Sequence, residues 1–321
     1  MSTVPLMPSY GNRFSRQVLL QHWDQEKISN ATVLIPGVGA LGTVVAYSLA
    51  QLGIGKLILV DFDYVDESNL SRQKLFTIED IGHPKVIAAR KALLKINPSV
   101  RIEIFPINIL HLPERVWQEA DVYGDGLDSF IMREHVNAKA IQYNKPYVFA
   151  GTYGWHGNVQ VIIPGKTPCL DCYPMSRGEF EGSCSLSDTR KEIQSDTIPA
   201  PAIATISDII GGMETNEIIK LLLGIPLQYN YWFYNGISGE LFHFNLERNS
   251  KCSICFPLAE IIEIPISKGE SVSDALKRHN ISEDIVVCDG KMVDLNAQAE
   301  QYLGKELILP KKRIKFAKGK Q

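Results

Sequence analysis

The chain has 321 residues, 45% of them hydrophobic, with a formal net charge of −3; it is long enough to bury one large core and a small second one, and the charge balance excludes a general electrostatic attraction to nucleic acid or to an anionic membrane surface. Met1–Tyr10 lacks a charged region followed by an apolar core, and no run of about 18 apolar residues occurs, so a cytoplasmic protein is expected, with neither nucleic acid nor membrane as partner.

The first patterned segment is Arg13 to Trp23, where Arg13 and Arg16 stand beside an apolar stripe and read as surface charges of an amphipathic stretch. Next comes the apolar run Ala31–Ile35, then Gly37-Val-Gly39-Ala40-Leu-Gly42, then a helix-like segment through Leu52. This is strand, turn, helix. The glycines permit a tight turn and close backbone approach, and the helix N-terminus offers unpaired N–H groups to phosphate. A second strand, Lys56–Val60, ends at Asp61, whose carboxylate can accept hydrogen bonds from ribose hydroxyls. To this point NAD and ATP fit equally.

The next residues separate them. Ser68, Asn69, Arg72 and Gln73 crowd donors just past Asp61, and Lys85 adds a cation. Arginine offers a planar fork and lysine a mobile point charge, a combination suited to a triphosphate; a plain solvated loop is the bland alternative. Asp121–Asp128 reads as a strand entering a turn, with a helix from Phe130 to about Gln142. Two carboxylates, Asp125 and Asp128, then stand at the carboxyl end of a strand and suit Mg²⁺ on nucleotide phosphates, although an aspartate in the place of Asp128 also suits a helix N-cap.

Strand-rich sequence follows from Gly151 to Ile163, then Cys169-Leu-Asp-Cys172. A helix is expected over about Ala202–Leu223 and strands near Tyr231–Phe244, before Cys252-Ser-Ile-Cys255. Two C-x-x-C knuckles can place four thiolates on one tetrahedral zinc ion; the alternative is two unrelated reduced turns. Cys184 sits in a polar loop with a glycine and reads as accessible, whereas Cys288 follows an apolar strand. No histidine shows metal spacing. Beyond Pro257, Ile261–Ile266 reads as a strand, Ser271–Arg278 as a capped short helix and Asp284–Cys288 as another strand before an Asp289-Gly290 turn, an order that resembles a small β-grasp unit. The basic end, Lys311–Lys320, reads as solvated.

Arg13-Phe-Ser-Arg-Gln17, Gly37–Gly42, Asp61-Phe-Asp63, Ser68–Gln73, Gly82-His-Pro-Lys85, Ile96-Asn-Pro98 and Asp125-Gly-Leu-Asp128 together resemble the MoeB/ThiF family, relatives of the ubiquitin-activating enzymes, over about residues 10–257. The resemblance implies a Rossmann-like adenylation domain over 1–257 with a mostly parallel central sheet and a structural zinc site on Cys169, Cys172, Cys252 and Cys255. Residues 258–321 would form a small α+β domain of a ubiquitin-fold-like kind. The activity implied is ATP-dependent adenylation of the C-terminal glycine of a ubiquitin-like or sulfur-carrier protein ending in Gly-Gly. ATP contacts then fall to Gly37, Gly39, Ala40, Gly42, Asp61, Asp63, Ser68, Asn69, Arg72, Gln73, Lys85, Asp128 and Ser129, the last standing where the family often has asparagine. Asp128 would be linked to Mg²⁺, Arg13 would act across a homodimer interface, and Cys184 would be a candidate thioester nucleophile, although a polar insertion over Ser185–Thr197 departs from the family pattern. The C-terminal domain could recruit a conjugating enzyme or merely shield an interface. An NAD-dependent oxidoreductase and a non-catalytic binding module of the same fold are the other readings.

Overall fold

The computed structural model describes residues 13–173, 201–249, 252–255, 262–281, 286–288, 291–309 and 312–318. The chain divides into two units, one running to residue 170 and resuming up to 247, the other taking in 171–173 and the residues from 248 onward. Pro257 and Cys184 lie outside the described residues.

In the first unit, β1 (Thr32–Pro36), β2 (Lys56–Val60), β3 (Arg101–Phe105), β4 (Val122–Tyr123) and β5 (Tyr147–Tyr153) pair in parallel in the order β3-β2-β1-β4-β5. Antiparallel β6 (His156–Ile162), β7 (Tyr231–Asn235) and β8 (Glu240–Phe244) extend the sheet to eight strands. This is the α/β fold with a mostly parallel central sheet. β1 is buried throughout and β2 nearly so, as the unbroken apolar runs of a sheet covered on both faces require. Over the sheet pack α2 (Ala40–Leu52), α3 (Lys85–Ile96), α5 (Phe130–Tyr143) and the long α6 (Ala204–Leu223), with short α1 (Gln25–Asn30) before β1 and short α4 (Glu114–Glu119) between β3 and β4. α2 and α6 lie against each other, and their apolar faces join β1, β5 and β6 in one core. The direction of strand progression reverses between β1 and β4. Loops leaving the carboxyl ends of those two strands diverge there and leave the crevice in which such sheets bind ligands.

One segment departs from its pattern. Arg13–Trp23 forms turns and a 3-10 turn at Gln17–Leu19, not an amphipathic helix. His22 takes a left-handed φ of 66°, and the Gln17 amide donates to the Leu52 carbonyl and to Gln25. Val18, Leu19 and Leu20 are left 47%, 66% and 59% exposed.

The second unit carries β9 (Ile262–Ile266), α7 (Val272–Arg278), β10 (Val287–Cys288), β11 (Lys291–Met292), β12 (Glu306–Leu309) and β13 (Lys312–Lys318). The strand order is β11-β10-β12-β13-β9, with the first and last described strands of this unit, β9 and β13, paired in parallel. Ser271 caps α7 by accepting the Asp274 N–H, and Ile264, Leu276, Leu307, Ile314 and Phe316 form the core. Among the described residues no helix is long and apolar enough to cross a membrane.

Candidate functional site

The crevice has a floor made of backbone. Gly37 takes a φ of +81°, and a Cβ there would lie 2.4 Å from the Gly126 carbonyl oxygen; a Cβ on Gly42 or Gly126 would lie 2.0 or 2.1 Å from the Gly37 oxygen. Turns from β1 and β4 thus meet glycine on glycine. They are tied to the sheet by Gly37 N–H to Val60 O, Gly126 N–H to Pro36 O and Gly124 N–H to Leu34 O, at 2.7, 2.8 and 2.8 Å. Gly39, at the N-cap of α2, supplies no side-chain cap, so the first N–H groups of a thirteen-residue helix, beginning at Ala40, stay available to an anion.

Beside this floor runs an arm from Asp61 to Lys85. Asp61 is buried, and its two oxygens accept the Val38 and Asp63 N–H groups at 2.7 and 2.8 Å. Its first task is to fix the glycine turn, and ribose hydroxyls would meet its remaining lone pairs. Burial pushes its carboxyl above the ordinary aspartate value, with Lys85 and the two N–H groups pulling it back. Asp63 holds the ammonium of Lys85 at 2.8 Å, and Lys85, the first residue of α3, is 7% exposed. The Asp66 carboxylate accepts the Ser68 N–H while Asn69 accepts the Asp66 N–H, which fixes a tight turn. Arg72 donates to the Ser68 carbonyl at 2.8 Å. Gln73 is buried with its Oε1 lacking a hydrogen-bond partner, and its Nε2 lies 4.0 Å from where a Cβ on Gly39 would sit. A buried amide with an unmet oxygen next to an uncapped helix N-terminus fits a ligand with hydroxyls and phosphates.

The opposite wall is the turn Gly124–Asp128. Asp125 is fully buried and therefore is not the second Mg²⁺ carboxylate that its sequence position suggests. Arg133 of α5 pairs with it at 3.0 Å, the Leu127 N–H reaches it at 2.9 Å and the Tyr147 hydroxyl at 3.0 Å. Arg133 also donates to the Leu127 and Ala150 carbonyls at 2.5 and 3.1 Å. From α6, Glu214 accepts the Asp125 N–H at 2.6 Å. Burial pushes the Asp125 carboxyl up while Arg133 draws it down; burial and then the Asp125 charge push Glu214 well up. Asp128 is exposed on the rim, and Ser129 precedes α5 without making a side-chain cap. Asp128 is thus free to take a cation.

Gly37, Gly39, Ala40, Gly42, Asp61, Asp63, Gln73, Lys85 and Asp128 all stand at the carboxyl ends of β1, β2 and β4 or on the segments that follow them. Ser68, Asn69 and Arg72 lie on the arm between β2 and α3. Arg13 does not join them. Its guanidinium donates to the Ile96 carbonyl at 2.9 Å, and it lines a depression with Gln17, Gln51 and Leu52 at the far ends of α2 and α3, roughly 20 Å along α2 from the glycine turn at 1.5 Å per residue.

The two knuckles do meet. The sulfurs of Cys169, Cys172, Cys252 and Cys255 lie within 4.8 Å of one another, all four residues are buried, and Cys172 and Cys255 are 3.2 Å apart. Four thiolates about 2.3 Å from one tetrahedral ion stand about 3.8 Å apart, so the set fits zinc. Asn249 donates to the Cys172 carbonyl at 3.2 Å and Arg248 to the Cys255 carbonyl, bracing both turns.

Sequence reasoning missed Gly126, Arg133 and Glu214. Gly126 lies in Asp125-Gly-Leu-Asp128, where the preceding aspartate is the visible signal; Arg133 and Glu214 sit in helical patterns where a charge reads as solvated.

The chain matches the ThiF family over residues 14–254. It is 31% identical over 254 residues to the sulfur carrier protein adenylyltransferase of Thermus thermophilus, covering 76% of this chain and 90% of the relative. It is 32% identical over 253 residues to the molybdopterin-synthase adenylyltransferase of Escherichia coli, covering 76% and 95%. Among solved structures, E. coli MccB with ATP matches with a TM-score of 0.64 at 25% identity, covering 78% of this chain and 76% of that one.

Proposed function

Because the chain belongs to the ThiF family, we propose that it is an adenylyltransferase that uses ATP to activate the C-terminal glycine of a small ubiquitin-like or sulfur-carrier protein ending in Gly-Gly. The observation that carries this reading is the uncapped N-terminus of α2 flanked by Gln73 and Lys85, at the point where strand order reverses. The related adenylyltransferases support acyl-phosphate chemistry over hydride transfer.

A carboxylate oxygen of the carrier attacks the α-phosphorus, the bond from that phosphorus to the bridging oxygen breaks, and pyrophosphate leaves with the electron pair. No proton is transferred in this step. A carboxylate is a weak nucleophile, so the protein's task is alignment and charge neutralisation. Asp61 holds ribose while it fixes the glycine turn. The α2 N-terminus with Gly37, Gly39, Ala40 and Gly42 receives phosphate, and Ser68, Asn69, Arg72, Gln73 and Lys85 neutralise the oxygens. For that, Lys85 must turn from Asp63 and Arg72 from the Ser68 carbonyl, so ligand entry exchanges partners on the arm. Asp128, with Ser129 beside it, would hold Mg²⁺, which supplies further neutralisation of the triphosphate. Arg13 serves the site of a second copy in a homodimer, since within its own chain it stands at the wrong end of α2. Cys169, Cys172, Cys252 and Cys255 would hold a structural zinc, since a closed set of four thiolates would leave no position for chemistry.

The acyl group then passes to an acceptor. With Cys184, a thioester forms as AMP leaves and the thiol loses its proton. The second unit, residues 258–321 in the main, acts as a ubiquitin-fold-like module that engages a conjugating enzyme; the parallel pairing of its first and last strands around a capped helix supports that reading. The protein works in the cytoplasm.

The test is exchange of labelled pyrophosphate into ATP in the presence of a small carrier ending in Gly-Gly. Exchange that needs both carrier and Mg²⁺ is the expected result; tight NAD binding without exchange would overturn the reading. Metal analysis should find bound zinc, and Cys172→Ser should release it and lower Tm.

A further inference from the structure

Glu214 has no role in the chemistry above, yet it is the most deeply buried acid on α6, at 0% exposure. Its Oε1 accepts the Asp125 N–H at 2.6 Å, and its Oε2 has no hydrogen-bond partner. Among the described residues no cation stands within ion-pair reach of it: the nearest, Arg133, is given over to Asp125 and to the Leu127 and Ala150 carbonyls, and Lys220 pairs with Glu217 at 2.6 Å. Two buried carboxyl groups thus stand near one guanidinium that pairs with only one of them, Asp125. A second uncompensated buried charge would be costly enough that the group keeps its proton instead. The titratable groups around it are Asp125, Arg133 of α5 and Tyr147 of β5; of the elements packed on the same helix, α2 carries Tyr47, β4 Tyr123, β5 also Tyr153, β6 His156, and α1 the exposed Glu26 and Lys27.

We propose that Glu214 is a positioning residue: its uncharged carboxyl accepts the Asp125 N–H and thereby presses the Gly124–Asp128 turn onto Gly37, which sets the place of the exposed Asp128. The geometry leaves little slack. A Cβ on Gly124 would lie 3.0 Å from Glu214 Oε1, and one on Gly126 would lie 2.1 Å from the Gly37 oxygen, so the turn is closed between α6 and the glycine floor. Ionisation of Glu214 would place a second negative charge beside that of Asp125 and loosen the turn. This inference rests on the nucleotide reading for the consequence at Asp128, but not for the state of Glu214.

An acid that keeps its proton in the fold and loses it in the unfolded chain binds more protons when folded, so stability falls as pH rises from the ordinary glutamate range through the raised folded value. The experiment compares the full chain with Glu214→Gln, which keeps the acceptor without the charge, and Glu214→Leu, which removes it. Between pH 5 and pH 9 the Tm of the wild type should fall relative to that of Glu214→Gln. Parallel Tm curves would overturn the neutral state. In hydrogen exchange at pH 7, the Asp125 amide should stay protected in Glu214→Gln and open in Glu214→Leu. In Mg·ATP titrations, Glu214→Gln should bind like the wild type at pH 7 and Glu214→Leu about tenfold more weakly, the size seen when partners behind a ligating group are removed. Should Glu214→Leu fold, protect that amide and bind Mg·ATP like the wild type, the positioning role is lost. Absence of Mg·ATP binding in the wild type would instead strike the nucleotide reading, while the Tm and exchange data would still decide on Glu214.

Discussion

The two walls of the crevice are built on opposite principles. The arm from Asp61 to Lys85 is held largely by contacts within itself: Asp66 to Ser68, Arg72 to Ser68, Asp63 to Lys85. The turn Gly124–Asp128 is held by buried partners on other elements, α5, β5 and α6. The arm can trade its internal partners for a ligand's oxygens, because most of its polar groups are wet and the cost of breaking an exposed contact is small. The turn cannot. Opening it strands a buried charge. One wall therefore adapts to the ligand, and the other provides the fixed reference against which the ligand is placed.

That contrast can be broken first at the turn. Gly126→Ala forces a methyl group to within 2.1 Å of the Gly37 oxygen, with backbone on both sides; a loss of more than about 4 kcal/mol, or failure to fold, is expected in chemical denaturation. Arg133→Met leaves Asp125 buried without its cation and should cost about 3 kcal/mol in the same measurement. A fully stable Arg133→Met protein would show that the wall is not held as described. On the arm the loss should move from stability to activity. Lys85→Ala unpairs Asp63, whose side chain is 47% exposed, and removes the cation that favours the buried Asp61 carboxylate, so Tm should fall less than in the turn variants while pyrophosphate exchange falls about a hundredfold, as when one preorganised charge-stabilising donor is removed. The smallest effect belongs to Asp66→Ala, which deletes the cap on the Ser68 N–H: a slight fall in Tm with exchange retained. If Asp66→Ala abolished exchange, the arm would be as rigid as the turn and the contrast would fail.

The same contrast explains what could be read from the chain beforehand. Lys56–Val60 is a strand with the predicted limits, and the predicted helix through Leu52 ends there. Local apolar periodicity and glycine punctuation determine both, and no distant residue is needed. The arm was legible for the same reason, as its donors are clustered in sequence. The turn was not, since the difference between Asp125 and Asp128, one sealed and one open, is decided by Arg133 and Glu214, which sequence spacing places on helix surfaces. The amphipathic pattern of Arg13–Trp23 also misled. It predicts a stripe packed inward, whereas His22 in a left-handed conformation and the Gln17 contact to Leu52 turn Val18, Leu19 and Leu20 outward. The paired knuckles were the opposite case: two pairs 80 positions apart announced a cluster that the fold then assembled.

For anyone wishing to retarget this protein, the glycine floor divides the crevice into unequal parts. Positions 37, 42 and 126 touch backbone to backbone, so no side chain admitted at one can be accommodated by shrinking another, as all three are already at the minimum. A randomised library would recover these three unchanged together and draw its diversity from positions 63 and 72 on the arm, where the wall already yields.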